Sequence, residues 1–533
     1  MRRALLLAAA LVVAVPGCSR CGRVGGRAPE LARVLPRDAE AVVLVPDLGA
    51  LGTAILRLEQ LKLASIGAQL QGAGSASDLA GGLALQLGVD LRSRESMERA
   101  GLDPSRGAGV VWLKGDDAYV VAGVKDEKAV QDLARRIARD RMNATAAAET
   151  EVDGYRMVTF SRKPGGPPML AVLFQERWAF LSGGKAAGRM AELSAVGESA
   201  ALATESEFQQ AMKRVPKDAQ VMVRVPPTSS RSQRGAMHGA MLSLSLRADA
   251  LAFTWVQPWP NTEKSLEVLT AQRPAPDLFG LAAPDAFFVM RSLGPPSEMA
   301  PLWKDLLGEL GRRRVNEREV ALGDQILQNL KPGTVLSLSL APTVNLAAGV
   351  PQLDPRRTNP FRYLHLVVAG EVKDPAKAAQ TLEDIPAAAQ RYGAIIEPSD
   401  RSGQTVYLTH YAQGEGANLA LVGDKAVMAA PVSRLDETIT RAKDKAAAEG
   451  LAADPAFQAL FQSPLSFAID LHRLAESIRA LPSSAWGVGG FAMKATTLRW
   501  MDAIDDLRAI TFRAGYADGW VEAEVQVRIQ APQ

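Results

Sequence analysis

Short runs of β-branched and aliphatic residues alternate along this chain with alanine- and leucine-rich runs of helical period, and the alternation comes back on itself. Residues 120–133 read VVAGVKDEKAVQDL, a strand that turns at Val-Lys-Asp into an amphipathic helix. Residues 367–382 read VVAGEVKDPAKAAQTL and predict the same pair. Val124 and Val372 lie 248 positions apart, as do Pro36 in LPRDAEAVVLV and Pro284 in AAPDAFFVM. Leu170 and Leu419 lie 249 apart, and so do Phe208 and Phe457. A chance likeness between valine-rich strands explains one such match, whereas a nearly fixed offset over most of the chain predicts two copies of one domain.

In the first copy, 31–272, the opening strand at 35–45 leads into a helical run in which Leu51, Ile55, Leu58 and Leu61 share a face and Asp47 is placed to cap. Strands are expected at 110–113 and 119–124, joined through Lys114-Gly115-Asp116-Asp117. A helix from the N-cap Asp126 to 140 follows, then strands at 152–160 and 170–174, a hairpin ending at 178–181 and a helix at 187–196. The spacing of Thr204 and Glu207 is that of a capping box. VPKDAQVMVRV (215–225) repeats the Pro-Asp-Ala opening, and 251–257 with 264–271 are expected to close the copy as a hairpin.

The second copy, 277–533, returns to this order. A helix is expected at 299–310, then strands at 334–340 and 363–372 across a longer, proline-containing loop. Asp374 caps the next helix, with Pro375 in its first turn. Strands at 405–411 and 419–429, a helix at 433–449, a cap at Asp454-Pro455, a strand at 465–469 and a hairpin of 507–515 with 521–529 complete the copy. Hairpin-linked strands with helices between the groups predict an α+β fold, two tandem copies of a mainly antiparallel sheet with helices packed on it.

The first 17 residues break the pattern. MRRALLLAAALVVAVPG sets Arg2 and Arg3 before a dozen apolar residues and a small residue ahead of Cys18, the layout of a signal peptide. The apolar run is shorter than the ~20 residues that cross a bilayer as a helix. Val15-Pro16-Gly17-Cys18 resembles the lipobox of bacterial lipoproteins, with Pro16 in place of the commoner Ala or Ser. The resemblance implies cleavage between Gly17 and Cys18, a diacylglycerol on the Cys18 thiol, and acylation of the new amino terminus. The membrane is then a partner through the acyl chains on Cys18. Ser19, where an Asp would retain a lipoprotein in the inner membrane, implies the periplasmic face of the outer membrane. Residues 18–30 read as a lipidated, glycine-rich tether. Cys21 is the only other cysteine, so no disulfide is expected in the folded body.

Charge and composition narrow the classes further. The net charge of +3 falls to +1 without Arg2 and Arg3, and no basic run has interleaved aromatics. Nucleic acid is therefore not an expected partner. The four histidines, His238, His365, His410 and His472, have no metal-ligand spacing. His365 falls opposite Asp117 in the other copy and His410 opposite Ser161, so neither belongs to a duplicated site. No metal and no cofactor is expected.

Ser182-Gly183-Gly184-Lys185 fits the Ser-x-x-Lys motif of penicillin-binding proteins and serine β-lactamases. Neither a Lys-Thr-Gly nor a Ser-Asp-Asn element follows it, and the other copy has Ala430-Pro431 near that point. A cryptic hydrolase at Ser182 and Lys185 is thus the minor alternative to a chain that is not an enzyme. Two segments rich in small residues and methionine stand ahead of the expected closing hairpins. One holds Met237 and Met241, and the other holds Trp486, Phe491 and Met493. Methionine-rich surface adapts to apolar partners, so these five are the candidate cover of a cleft for a lipid or apolar peptide; packing on the sheet is the plainer reading. The xPxDAxxxVxV openings and Gly101-Leu102-Asp103-Pro104 resemble a family of exported bacterial proteins of unknown function, which supplies no activity. The expectation is a lipid-anchored envelope protein, a non-catalytic binding or structural module with a lipid or protein partner in the envelope. The alternative is a periplasmic carrier or chaperone for a lipid or apolar peptide.

Overall fold

A computed structural model of the chain describes residues 28–530 apart from 71, 116, 226–238, 248, 260–268, 270–276, 300–316, 342–362, 390–393, 412–413 and 487–490. The chain divides into two units, Met1–Trp259 with Gln526–Gln533, and Pro260–Val525. Each has an α+β fold built on an antiparallel sheet.

The strands of unit 1 are β1 (Ala41–Val45), β2 (Ala108–Trp112), β3 (Ala118–Gly123), β4 (Ala146–Val152), β5 (Tyr155–Ser161), β6 (Leu170–Gln175), β7 (Trp178–Gly183), β8 (Ala219–Val225), β9 (Ala240–Leu246) and β10 (Ala250–Pro258). They pair in the order β4-β5-β6-β7-β3-β2-β1-β8-β9-β10, every pair antiparallel. Unit 2 has β11 (Phe288–Ser292), β12 (Thr334–Leu340), β13 (Leu364–Glu371), β14 (Ile395–Arg401), β15 (Gln404–Tyr411), a two-residue β16 (Gly414–Glu415), β17 (Asn418–Val422), β18 (Lys425–Ala430), β19 (Leu465–Asp470) and β20 (Leu507–Ala517). Their order is β14-β15-β17-β18-β13-β12-β11-β19-β20, again all antiparallel. β21 (Trp520–Ile529) follows β20 through Asp518 and Gly519, both at positive φ as a two-residue hairpin turn requires. Strand for strand, the two sheets run in one order.

Local signals explain most elements. Five of the described helices start on aspartate caps: Asp47 accepts from Ala50 N (2.8 Å), Asp126 from Ala129 N (3.1 Å), Asp374 from Lys377 N (3.0 Å), Asp454 from Ala456 N (2.9 Å) and Asp470 from Arg473 N (2.9 Å). Each sheet then buries one face under amphipathic helices. In unit 1, helix Leu48–Leu58 lays Leu48, Leu51 and Ala54 on Val43, Val221 and Leu244. Helix Glu127–Met142 lays Val130, Ala134 and Ala138 on Phe160, Val172 and Phe174. In unit 2, Leu435 and Ile439 of helix Val432–Lys443 join Phe457 and Phe461 in a core where the Phe279 and Phe461 rings lie 4.9 Å apart.

The structure corrects two expectations, the strand at 152–160 and the capping box at Thr204. The run at 152–160 is not one strand: Asp153 and Gly154 turn at positive φ and create the β4–β5 hairpin. β4 is an edge strand exposed along most of its length, so its sequence carries no apolar alternation. β10 pairs with β9, and the second strand of the expected closing hairpin, 264–271, lies outside the described residues except for residue 269. Thr204 forms no capping box, because its hydroxyl donates to Ala201 O (2.7 Å) and Glu205, the N-cap residue, instead accepts from Arg224. The end of β21, from Gln526 on, groups with unit 1, where Ile529 N donates to Asp249 O at 2.7 Å.

Candidate functional site

The serine of the Ser-x-x-Lys pattern is sealed. Ser182 sits inside β7, fully buried, and its hydroxyl donates to Ala118 O at 2.8 Å. Lys185 lies on the exposed side of the following turn of 3₁₀ helix. A nucleophile must be reachable and must face its base, and this pair meets neither condition.

Of the five candidate cover residues, only Met241 and Trp486 have described side chains. Met241 belongs to β9 itself and is buried in the sheet. The reason is visible in the sequence: Met241, Ser243 and Ser245 alternate with Leu242, Leu244 and Leu246, the period of a strand and not of a flexible lid. The space beside Met241, under Phe208, measures about 20 Å³, room for roughly one water. Trp486 is buried in a small cluster with Leu481 and Ala485, its indole N–H without a partner. Phe491 opens helix Phe491–Ala503 and Met493 follows, with both side chains outside the described set. Met237, Gly17, Cys18 and Cys21 lie outside the described residues, as does His238.

The other histidines are separate. His410 is exposed on β15, and His472 pairs with Glu476 at 3.2 Å along one helix. His365, on β13, is half-buried with Nδ1 3.4 Å from Arg434 Nη2, while Arg434 bonds Asp285 and Glu437, each at 2.7 Å. Burial, and then the Arg434 charge, push the His365 imidazole below its ordinary value. Among the described residues, no group of three His, Cys, Asp or Glu side chains could hold a metal.

One recess of ligand size is present in unit 1, and no sequence motif marks it. An open groove of about 710 Å³ runs along helix Ala76–Leu87 and is lined by Ser77, Gly81, Leu85, Val89, Asp90 and Arg92, among others. Arg92 is clamped at its floor. Nε and Nη2 take the two Asp90 oxygens, each at 2.9 Å, and Nη1 donates to Glu59 at 2.8 Å. The hydrogen bond from Arg92 holds the Asp90 carboxyl below the usual carboxylate range, and the bonds to Asp90 and Glu59 raise the guanidinium pKa. With two carboxylates on one cation, the floor has no spare positive charge for an anion. The remaining wall is made of small and apolar residues with Asp78 and the hydroxyls of Ser77 and Ser96 among them, and it brings no base or nucleophile pair together. The signal that could have found it is a lack of charge: from 63 to 89 the only charged side chain is Asp78.

Among the described residues no helix is long and apolar enough to cross a membrane. No family profile and no curated protein matches the sequence. Among solved structures, crystal forms I and IV of TP0453 are similar at a TM-score of 0.24 and 10% identity, over 46% of this chain and 81% and 83% of theirs. A likeness of that size carries no argument about this chain.

Proposed function

We propose that the chain is a lipid-anchored protein of the bacterial cell envelope whose two units bind or brace rather than catalyse. The run MRRALLLAAALVVAVPG ahead of Cys18 carries this reading. The arginines and apolar run suit export, the small Gly17 suits a peptidase cleft, and a thiol is the group that can take a diacylglycerol. Each buried methylene adds ~0.8 kcal/mol, and two or more chains hold a protein stably. Ser19 favours the periplasmic face of the outer membrane. Support for a non-catalytic role comes from the sealed Ser182 hydroxyl and from an Arg92 whose charge is already matched.

Mass spectrometry of the protein extracted from envelopes tests the anchor. An amino-terminal Cys18 carrying acyl chains is expected; an unmodified Cys18 thiol or a retained Met1 would contradict it. Labelling of folded protein by an acyl-serine probe at Ser182 would contradict the non-catalytic role.

A further inference from the structure

The connection between β1 and β2 in unit 1 leaves an apolar face uncovered. Helix Ala76–Leu87 (ASDLAGGLALQL) packs against helix Lys62–Leu70 but has no buried residue of its own. Leu85 is 80% exposed, and Leu56 and Leu87 are exposed as well. Asp78, the one charge between 63 and 89, is used in the cap: Ser75 Oγ donates to it at 2.8 Å and accepts from its N–H at 3.1 Å. Beyond that capped carboxylate the helix carries no charge, and exposed leucines on such a helix mark a contact surface.

The tether cannot supply the cover, but it does supply a candidate. Residues 18–27, CSRCGRVGGR, contain Val24 as their one aliphatic side chain. Ten residue steps separate Cys18 from Ala28, at most ~36 Å of chain. Helix Ala28–Ala32 packs at the end of β1 from which the apolar segment departs. There a Cβ on Gly107 would meet Val45 O, Pro46 O and the Leu31 side chain within 3.3 Å, and Leu48 N donates to Arg106 O.

We propose that the hairpin of helices Lys62–Leu70 and Ala76–Leu87 lies in the interface of the bilayer that holds the acyl chains of Cys18, with the lipid surface as its partner. The nearness of that bilayer rests on the anchor reading above. At ~1.5 Å per residue the longer helix spans about 18 Å against ~30 Å of hydrocarbon, so it lies along the membrane and not through it. Arg141, whose Nη2 donates to Leu85 O at 2.8 Å, puts a cation at the end of this helix, where lipid phosphates would meet it.

The full chain with Cys18→Ser and Cys21→Ser gives a test that needs no acyl group. An environment-sensitive fluorophore is placed on Leu85→Cys or, as a reference, on Glu151→Cys in the exposed strand β4. The labelled chains are mixed with phosphatidylethanolamine–phosphatidylglycerol vesicles bearing brominated acyl chains. A blue shift and bromine quenching are expected at 85 and not at 151. Adding the exposed substitution Leu87→Glu should weaken vesicle binding about tenfold or more. A label at 85 that neither shifts nor is quenched overturns the proposal. A label already shielded before vesicles are added, in a dimer seen by light scattering, also overturns it by assigning the face to a second copy. Failure of the anchor reading would appear in the mass of the Cys18 peptide and leave this readout intact.

Discussion

Unit 1 and unit 2 share a strand order but differ in how the chain travels between the same strands. In unit 1 the connection from β1 to the bridge Leu102–Val124 takes 56 residues, 46–101; in unit 2 the connection from β11 to the matching bridge Leu330–Val372 takes 37, 293–329. The next connection reverses this, with five residues between β2 and β3 (113–117) and 23 between β12 and β13 (341–363). The sheet is thus the part that tolerates no change of order, while loop length is cheap to vary, because closure entropy grows only slowly with length. What unit 1 places in its longer first connection is the helical hairpin 62–87, whose only charges are Lys62 and Asp78. The described helix of that connection in unit 2, Glu317–Asn329, carries Glu317, Arg318, Glu319 and Asp324 and is tied down by polar bonds. Asn329 Nδ2 donates to Asp374 O (2.8 Å) and Asp374 N donates to Asn329 Oδ1 (3.0 Å). The two connections thus differ in sequence, the segment 63–89 holding Asp78 as its one charge and 317–329 holding four.

Breaking one core at a time would sharpen this contrast. The largest effect is expected from Phe461→Ala, which empties a fully buried site beside the Phe279 ring. It should destabilise unit 2 by ~3–5 kcal/mol, read in denaturant unfolding with hydrogen exchange rising in β11, β12 and β19. Next comes Gly101→Ala in unit 1. Gly101 holds φ 84°, and a Cβ there would sit 2.2 Å from Asp126 O and 2.7 Å from Val130 N, at the start of helix Glu127–Met142. A loss of about 2–3 kcal/mol, felt first in that helix, is expected; an unchanged midpoint would mean the helix does not approach so closely.

Tyr119→Phe should act in the opposite direction. The Tyr119 hydroxyl is buried with no hydrogen-bond partner, and burial raises its pKa. Removing it should leave stability unchanged or raise it by up to ~1 kcal/mol, measured as a shift in denaturant midpoint. The smallest effect expected is a pH dependence confined to unit 2. The folded His365 imidazole is held below its ordinary value of 6.5, with Arg434, Asp285, Glu415 and Glu437 around it. The unfolded state therefore binds the proton first as pH falls. Stability is full above 6.5 and declines as pH drops from there through the folded value. His365→Gln should flatten that decline between pH 7.5 and 5.5 while leaving the pH 7.5 midpoint nearly unchanged.

The residues that made the sheet legible were those with paired local signals. The openings at Pro36 and Pro284 and the Val-Lys-Asp turns that end in the caps Asp126 and Asp374 recur at one offset, and they mark strands and helices that the structure contains. That offset also concealed something, because the two opposite length differences between β1 and β3 cancel and leave Val124 and Val372 in step. The outer strands were hidden for a different reason. β4 is exposed on both faces, and β14 carries Pro398 at an edge where a missing N–H costs nothing. Neither has the one-sided burial that produces a readable alternation. At Met241 the strand period is a stronger signal than methionine content. The groove carries no motif, and a stretch from 63 to 89 with Asp78 as its one charge is a quieter signal.

Hydrogen exchange of the acylated protein in vesicles, compared with the Cys18→Ser chain in buffer, tests most directly the proposal that the helical hairpin of unit 1 faces lipid. The account predicts slowed exchange across 63–89 on the membrane, with helix Glu317–Asn329 of unit 2 unchanged. Equal protection of both segments, or none at 63–89, would contradict it.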